Sequence, residues 1–129
     1  MPIEFQVFKK ENYFISTWTG KVTDNEALKI FKAFYTSPEW EPHMSELADI
    51  SQLHFSGISS KGLMRMANFV KKKLVEHNVT NVISAIYCPH DLQFGIARAY
   101  QMWSDESPES IQVFRDFNEA KNWILSTEN

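Results

Sequence analysis

Residues 86–124, IYCPHDLQFGIARAYQMWSDESPESIQVFRDFNEAKNWI, decide the fold, because each change of backbone course is marked by a residue with a mechanical reason to be there. The apolar run over 80–88 (TNVISAIYC) predicts a central strand covered on both faces, and Pro89 stops it. Asp91 is placed to cap a helix over 91–104, with Leu92, Ile96, Ala99 and Trp103 as its apolar stripe. Pro108 closes the following turn, and a strand is expected over 110–115. Asn118 and Glu119 then open a last helix, which plants Trp123 and Ile124 on the core. Strand, helix, strand, helix in this order is the pattern of an α/β protein.

Upstream, Ile3, Phe5 and Val7 alternate with Glu4 and Gln6, which predicts a strand over 3–9 with one buried face. Lys10, Glu11 and Asn12 make a turn, and 13–19 (YFISTWT) is a second strand ended by Gly20, so the chain opens on an antiparallel hairpin. Thr23 with Glu26 three residues on is a capping box for a helix with Leu28, Phe31 and Phe34 or Tyr35 inward. Ser37-Pro38 ends that helix. Residues 45–50 (SELADI) are a third strand, and 51–58 an irregular connection. Ser59 or Ser60 caps a long helix over 60–77, with Leu63, Met66, Val70 and Leu74 inward and Asn78 as its C-cap. The expected order is ββαβαβαβα: a mixed five-stranded sheet, its hairpin antiparallel and its later strands parallel through right-handed crossovers.

A chain of 129 residues with no linker or repeat is expected to be one domain over 1–129. Hydrophobic residues make up 43% of it, enough for a sizeable core, and ten Phe with four Trp leave room for aromatic surface at a ligand or a second subunit. The net charge of −3 argues against nucleic acid as a partner, and Lys71–Lys73, the one basic run, falls on the solvent side of a helix. No apolar run approaches the roughly 18 residues of a membrane span, and the N-terminus is unlike a signal peptide. With a single Cys88, no internal disulfide forms, and a cytoplasmic protein is expected.

Chemistry is sparse. His43, His54, His77 and His90 have no partner at metal-ligand spacing, and the isolated glycines build no phosphate loop, so neither metal nor cofactor is expected. Cys88 and His90 could form a nucleophile and base, but Pro89 turns the chain between them and a buried structural cysteine is the simpler reading. Asp49 and Asp91 fall at carboxyl ends of parallel strands, where two carboxylates can do acid–base work; each is equally a backbone cap. Arg98 can pair with Asp105 or Glu106. Gly95 in mid-helix suggests close packing against another backbone, and with Phe94, Tyr100 and Trp103 the helix has more apolar surface than one stripe needs. Ser56, Ser59 and Ser60 stand where a helix N-terminus favours a phosphate, or simply cap it.

On CPHDLQFGIARAY (88–100) and VFRDFNEAKNWI (113–124), with weaker matches at GKVTDNE (20–26) and LADIS (47–51), the chain resembles the SpoIIAA-like (STAS-type) domains over nearly its whole length. The likeness is to bacterial members with no established catalytic activity. It implies a mixed five-stranded sheet with four helices, often dimeric. In the anti-sigma-factor antagonists of the wider superfamily, a serine at the start of the second helix is phosphorylated. Here Asp49-Ile50-Ser51 is followed by Phe55-Ser56-Gly57-Ile58-Ser59-Ser60-Lys61-Gly62-Leu63, without the family's Asp before the serines and with longer spacing; the role carries over only to Ser59 or Ser60. The expected function is a non-enzymatic regulatory or protein-interaction module, a homodimer, presenting Phe55 in the loop 52–60 and Phe94, Arg98, Tyr100 and Trp103 on the helix to a partner. The alternative is a binder of a small apolar or amphipathic ligand between the sheet and its aromatic helices. An enzyme using Asp49, Asp91 or Cys88–His90 ranks last.

Overall fold

A computed structural model of the chain describes residues 1–103 and 108–126, the side chain of Trp103 excepted. Its five strands are β1 (Ile3–Phe8), β2 (Tyr13–Lys21), β3 (Ser45–His54), β4 (Val82–Tyr87) and β5 (Glu109–Phe114), and they lie side by side in chain order. β1 and β2 are antiparallel, Phe8 opposite Tyr13, and the remaining neighbours are parallel. The helices are α1 (Asp24–Tyr35), α2 (Ser60–Glu76), α3 (Asp91–Trp103) and α4 (Phe117–Ser126). The order is therefore ββαβαβαβα, as the sequence predicts.

Because each right-handed crossover joins a strand to its next neighbour, α1, α2 and α3 all fall on one face of the sheet. That face holds the larger core, including Phe14, Phe31, Phe34, Met66, Val70, Ile86, Ala97 and Ile111. The other face is covered by α4, whose Ala120 and Ile124 pack on Tyr13, Leu47 and Ala85. Most of the aromatic surplus is spent under α1: Phe5 stacks on Phe34 at 4.0 Å between centroids, and Phe14, Phe31, Tyr35, Trp40 and Phe69 extend the ring network.

Local signals act largely as expected. Thr23 and Glu26 form a full capping box on α1. At the end of α2 the C-cap is His77, and Asn78, the next residue, takes the left-handed φ of 59°. Its N–H bonds Val75 O and that of Val79 bonds Leu74 O, a Schellman closure that also packs Val79 against Leu74.

Several boundaries differ. Gly20 does not end its strand; with φ of 71° it stays in the ladder opposite Leu53, and β2 runs to Lys21. β3 continues past Ile50 to His54 through a bulge, since Thr17 and Thr19 face Asp49 and Gln52, leaving one extra residue on β3. Beyond it a 3-10 turn, Phe55–Gly57, leads into α2. Among the described positions of α3, Gln93 and Ala97 are buried; of the expected stripe, Leu92 is 72% exposed, Ile96 and Ala99 are half-buried, and the side chain of Trp103 lies outside the described residues. Asp91 is the first residue of α3 rather than its cap, and the N–H of Phe94 bonds the carbonyl of His90 instead. On α4 the cap is Asp116, which accepts the N–H of Glu119, so the helix begins before Asn118. Gly95 packs against nothing: a Cβ there would meet open space.

Candidate functional site

The inward positions of the sheet beneath α1–α3 should be apolar, yet four are not. Ser16 on β2, Glu46 on β3, Ser84 on β4 and Glu109 on β5 are all buried on that side. Register explains how they meet, for Glu46 is directly opposite Ser84, and Glu109 opposite Val82 two residues before it. Trp18 Nε1 donates to Ser16 Oγ at 3.1 Å, and Ser16 Oγ donates to Glu46 Oε2 at 2.8 Å. Ser84 Oγ donates to Glu109 Oε2. The result is a polar row crossing four strands inside an apolar layer.

Above this row is a partly open cavity of about 90 Å³. Its walls include Trp18, Phe31, Ala48, Ile50, Leu53, Phe55, Leu63, Met66, Ile86, Ile96, Ala97, Tyr100 and Ile111, and Glu46, Ser84 and Glu109 line it as well. No Lys, Arg or His among the described residues lines it. Removal from water disfavours both carboxylates. Burial first, and the neighbouring Glu109 second, push Glu46 up to about 8 against the opposing pull of the Ser16 hydrogen bond. Glu109 is raised by burial, with the Ser84 bond opposing. At neutral pH Glu46 therefore carries a proton, and because Oε2 accepts from Ser16, that proton belongs on Oε1. No hydrogen bond among the described residues reaches Oε1.

Of the residues singled out from the sequence, Phe55 and Tyr100 line this cavity. Asp49 stands at the bulge of β3, where its Oδ1 accepts the N–H of Ser51 at 3.0 Å and its hydroxyl at 2.7 Å, an Asx-type turn that holds the extra residue. Asp91 opens α3, where its carboxylate pairs with Arg115 at 2.7 Å, and Arg115 also lies over the Phe94 ring at 4.3 Å. Arg98 is exposed, and its expected partners Asp105 and Glu106 lie outside the described residues, as does the side chain of Trp103. Asp91, Arg98 and His90 are all absent from the cavity lining. Cys88 is fully buried and its thiol is pushed up to about 11 by that burial, with Arg115 opposing, which removes the thiolate a nucleophile needs. Among the described residues, no group of three His, Cys, Asp or Glu side chains is placed to hold a metal ion.

The serines at α2 separate. Ser59 caps the helix, accepting the N–H of Gly62 at 3.0 Å. Its own N–H and hydroxyl both go to the Asp24 carboxylate, at 3.0 and 2.5 Å, tying α2 to the start of α1. Ser60 is the first helical residue and exposed. Gly62 is required here, since a Cβ would fall on the Asp24 carboxylate.

Glu46 and Glu109 went unseen in the sequence. One signal was available for Glu46: in SELADI it shares parity with Ala48 and Ile50, so a strand with Ile50 buried must bury Glu46 too. Glu109 directly follows Pro108 and reads as a turn residue.

The arrangement defines a class of fold: helices on both faces of a mixed sheet whose order follows the chain, the SpoIIAA-like architecture. Among solved structures the chain is similar to an uncharacterized protein from the DUF3478 family with a SpoIIAA-like fold from Shewanella loihica PV-4, with a TM-score of 0.60 and 16% identity. The match covers 95% of this chain and 91% of that one. No protein-family model matches the sequence, and no curated protein matches it. No helix among the described residues is long and apolar enough to cross a membrane.

Proposed function

We propose that this chain is a small-molecule-binding module that takes an apolar or amphipathic ligand between its sheet and α1–α3. One observation supports it above the rest: an apolar, partly open cavity has buried polar groups on its floor. Pockets of this composition, mostly apolar with a few convergent polar groups, are the usual form of ligand sites. A cavity of about 90 Å³ is smaller than the ~150 Å³ apolar cavity that takes benzene, so the fitting ligand is a short chain. Phe55 and Leu63, both half-buried, line it beside the start of α2, where a longer tail would leave.

The test is a titration with butan-1-ol, pentan-1-ol and hexan-1-ol followed by NMR shifts. Saturable binding with the largest shifts at Ala48, Ile86 and Ile111 is expected, together with its loss in Ala48→Phe, which fills the cavity. Absence of saturable binding across the series would remove the proposal.

A second reading, a regulatory module that docks a protein partner or a second copy, is favoured by α3, which leaves Leu92 and Met102 72% and 75% exposed. In that reading Ser60 is the modifiable serine, because a phosphate on Ser59 would meet the Asp24 carboxylate that holds its hydroxyl. Light scattering over a concentration series checks self-association: a monomer throughout excludes the homodimer.

A further inference from the structure

We infer that the ligand of this cavity is a small amphipathic amine, its ammonium group held by Glu46 and Glu109 and its hydrocarbon part by the walls. The inference deepens the ligand-binding reading and rests on it. It begins with an imbalance in the site. Two buried carboxyl groups, on β3 and β5 with β4 between them, line one cavity, and no cationic side chain among the described residues lines it with them. Ser16 donates a hydroxyl hydrogen bond to Glu46, and Ser84 donates one to Glu109. Serine hydroxyls satisfy part of the acceptor capacity of a carboxylate, which has about four lone-pair sites. Glu46 is 9% exposed, and its Oε1 accepts nothing from the described residues.

A neutral alcohol would engage one such group and leave the charge question unanswered. A carboxylate ligand would add a further acid to a cavity whose lining holds no cation among the described residues. An alkylammonium offers three N–H donors on a compact head, which suits acceptors arriving from two strands, and brings the missing positive charge. The walls above the floor, Ala48, Met66, Ile86, Ala97 and Ile111, are hydrocarbon and match the tail.

Proton balance follows directly. Near neutral pH the free site holds a proton on Glu46, so binding of R–NH3⁺ releases that proton to solvent, while a neutral amine takes it from Glu46 and becomes R–NH3⁺ in place. The complex is the same by either route. The groups facing Glu46 are Glu109 from β5, Tyr35 from α1 and Tyr100 from α3, with Asp24 of α1 also on the cavity lining. All of them are acids, so none supplies the charge the amine would bring.

The experiment compares n-butylamine, butan-1-ol and butyrate with the full chain near neutral pH. The amine is expected to bind about tenfold or more tighter than the alcohol, a difference of ~1.4 kcal/mol or more. Its affinity should rise with pH up to the titration of Glu46, and calorimetry in two buffers of different ionisation enthalpy should show proton release. In Glu46→Gln/Glu109→Gln the amine should fall to the level of the alcohol, whose binding persists. An amine that binds no tighter than the alcohol, or whose advantage survives the double substitution, overturns the inference while leaving the cavity a ligand site. Silence from all three compounds overturns the ligand-binding reading itself. Should the double variant fail to fold, the pH profile and proton release of the unmodified chain decide the matter alone.

Discussion

A carboxyl group buried without a cation ties the stability of the whole chain to pH. For Glu46 the folded value is about 8, above that of a free glutamate, so the folded state holds a proton that the unfolded state has lost. The sign follows: the unfolded chain binds fewer protons between these values, and stability falls as pH rises through that window. Urea denaturation from about pH 5 to about pH 8 should therefore show a loss of up to about 4 kcal/mol, most of it absent in Glu46→Gln. A flat profile in the unmodified chain would contradict the burial of this group. Gly95 makes the opposite kind of residue-level case. It is exposed in mid-helix with open space where a Cβ would stand, so Gly95→Ala should stabilise by ~0.5–1 kcal/mol, readable as a raised denaturation midpoint. A destabilised variant would mean that α3 needs the flexibility of its glycine.

At the level of elements, the start of α2 depends on Ser59 and Asp24. Ser59→Ala removes the helix cap and both the Asp24 hydroxyl bond and the order it gives to α1; a loss of ~1 kcal/mol or somewhat more is expected in the same assay. A neutral substitution would show that the α1–α2 link contributes nothing. Much of the element pattern was legible because it rests on local chemistry: the Thr23–Glu26 box, the left-handed Asn78 and the prolines each act within a few residues. What could not be read came from tertiary context. The alternation in β3 breaks after Ile50 because a bulge reverses parity, putting Leu53 on the same face as Ile50; in sequence this looks like a strand end. On α3 the exposed Leu92 and the buried Gln93 defeat a hydrophobicity pattern, because Gln93 is held inside by its amide donating to Leu53 O at 3.0 Å. The site was the least legible part. Phe55 and Tyr100, singled out in the sequence, line the cavity, whereas Glu46 and Glu109 reach it through the pairing of β3 with β4 and of β4 with β5, which no local pattern shows.

For the molecule as a whole, the two faces of the sheet are unequally protected. Among the described residues, three helices cover the cavity face and α4 alone covers the other, with Ile124 2% exposed against Leu47 and Ala85. Ile124→Ala should cost ~2–5 kcal/mol, since little else closes over the gap. Exchange of the Leu47 and Ala85 amides should quicken in that variant, and unchanged exchange would show that α4 is not the cover.

That asymmetry also bears on how the chain is made. Strand order follows synthesis, so β1 to β4 and the three-helix face can assemble as they leave the ribosome. The strip formed by Tyr13, Leu47 and Ala85 has no such opportunity, because its cover is encoded after β5. During that interval the nascent sheet presents an apolar stripe, the kind of transiently exposed surface that makes a folding chain prone to aggregate until α4 covers it.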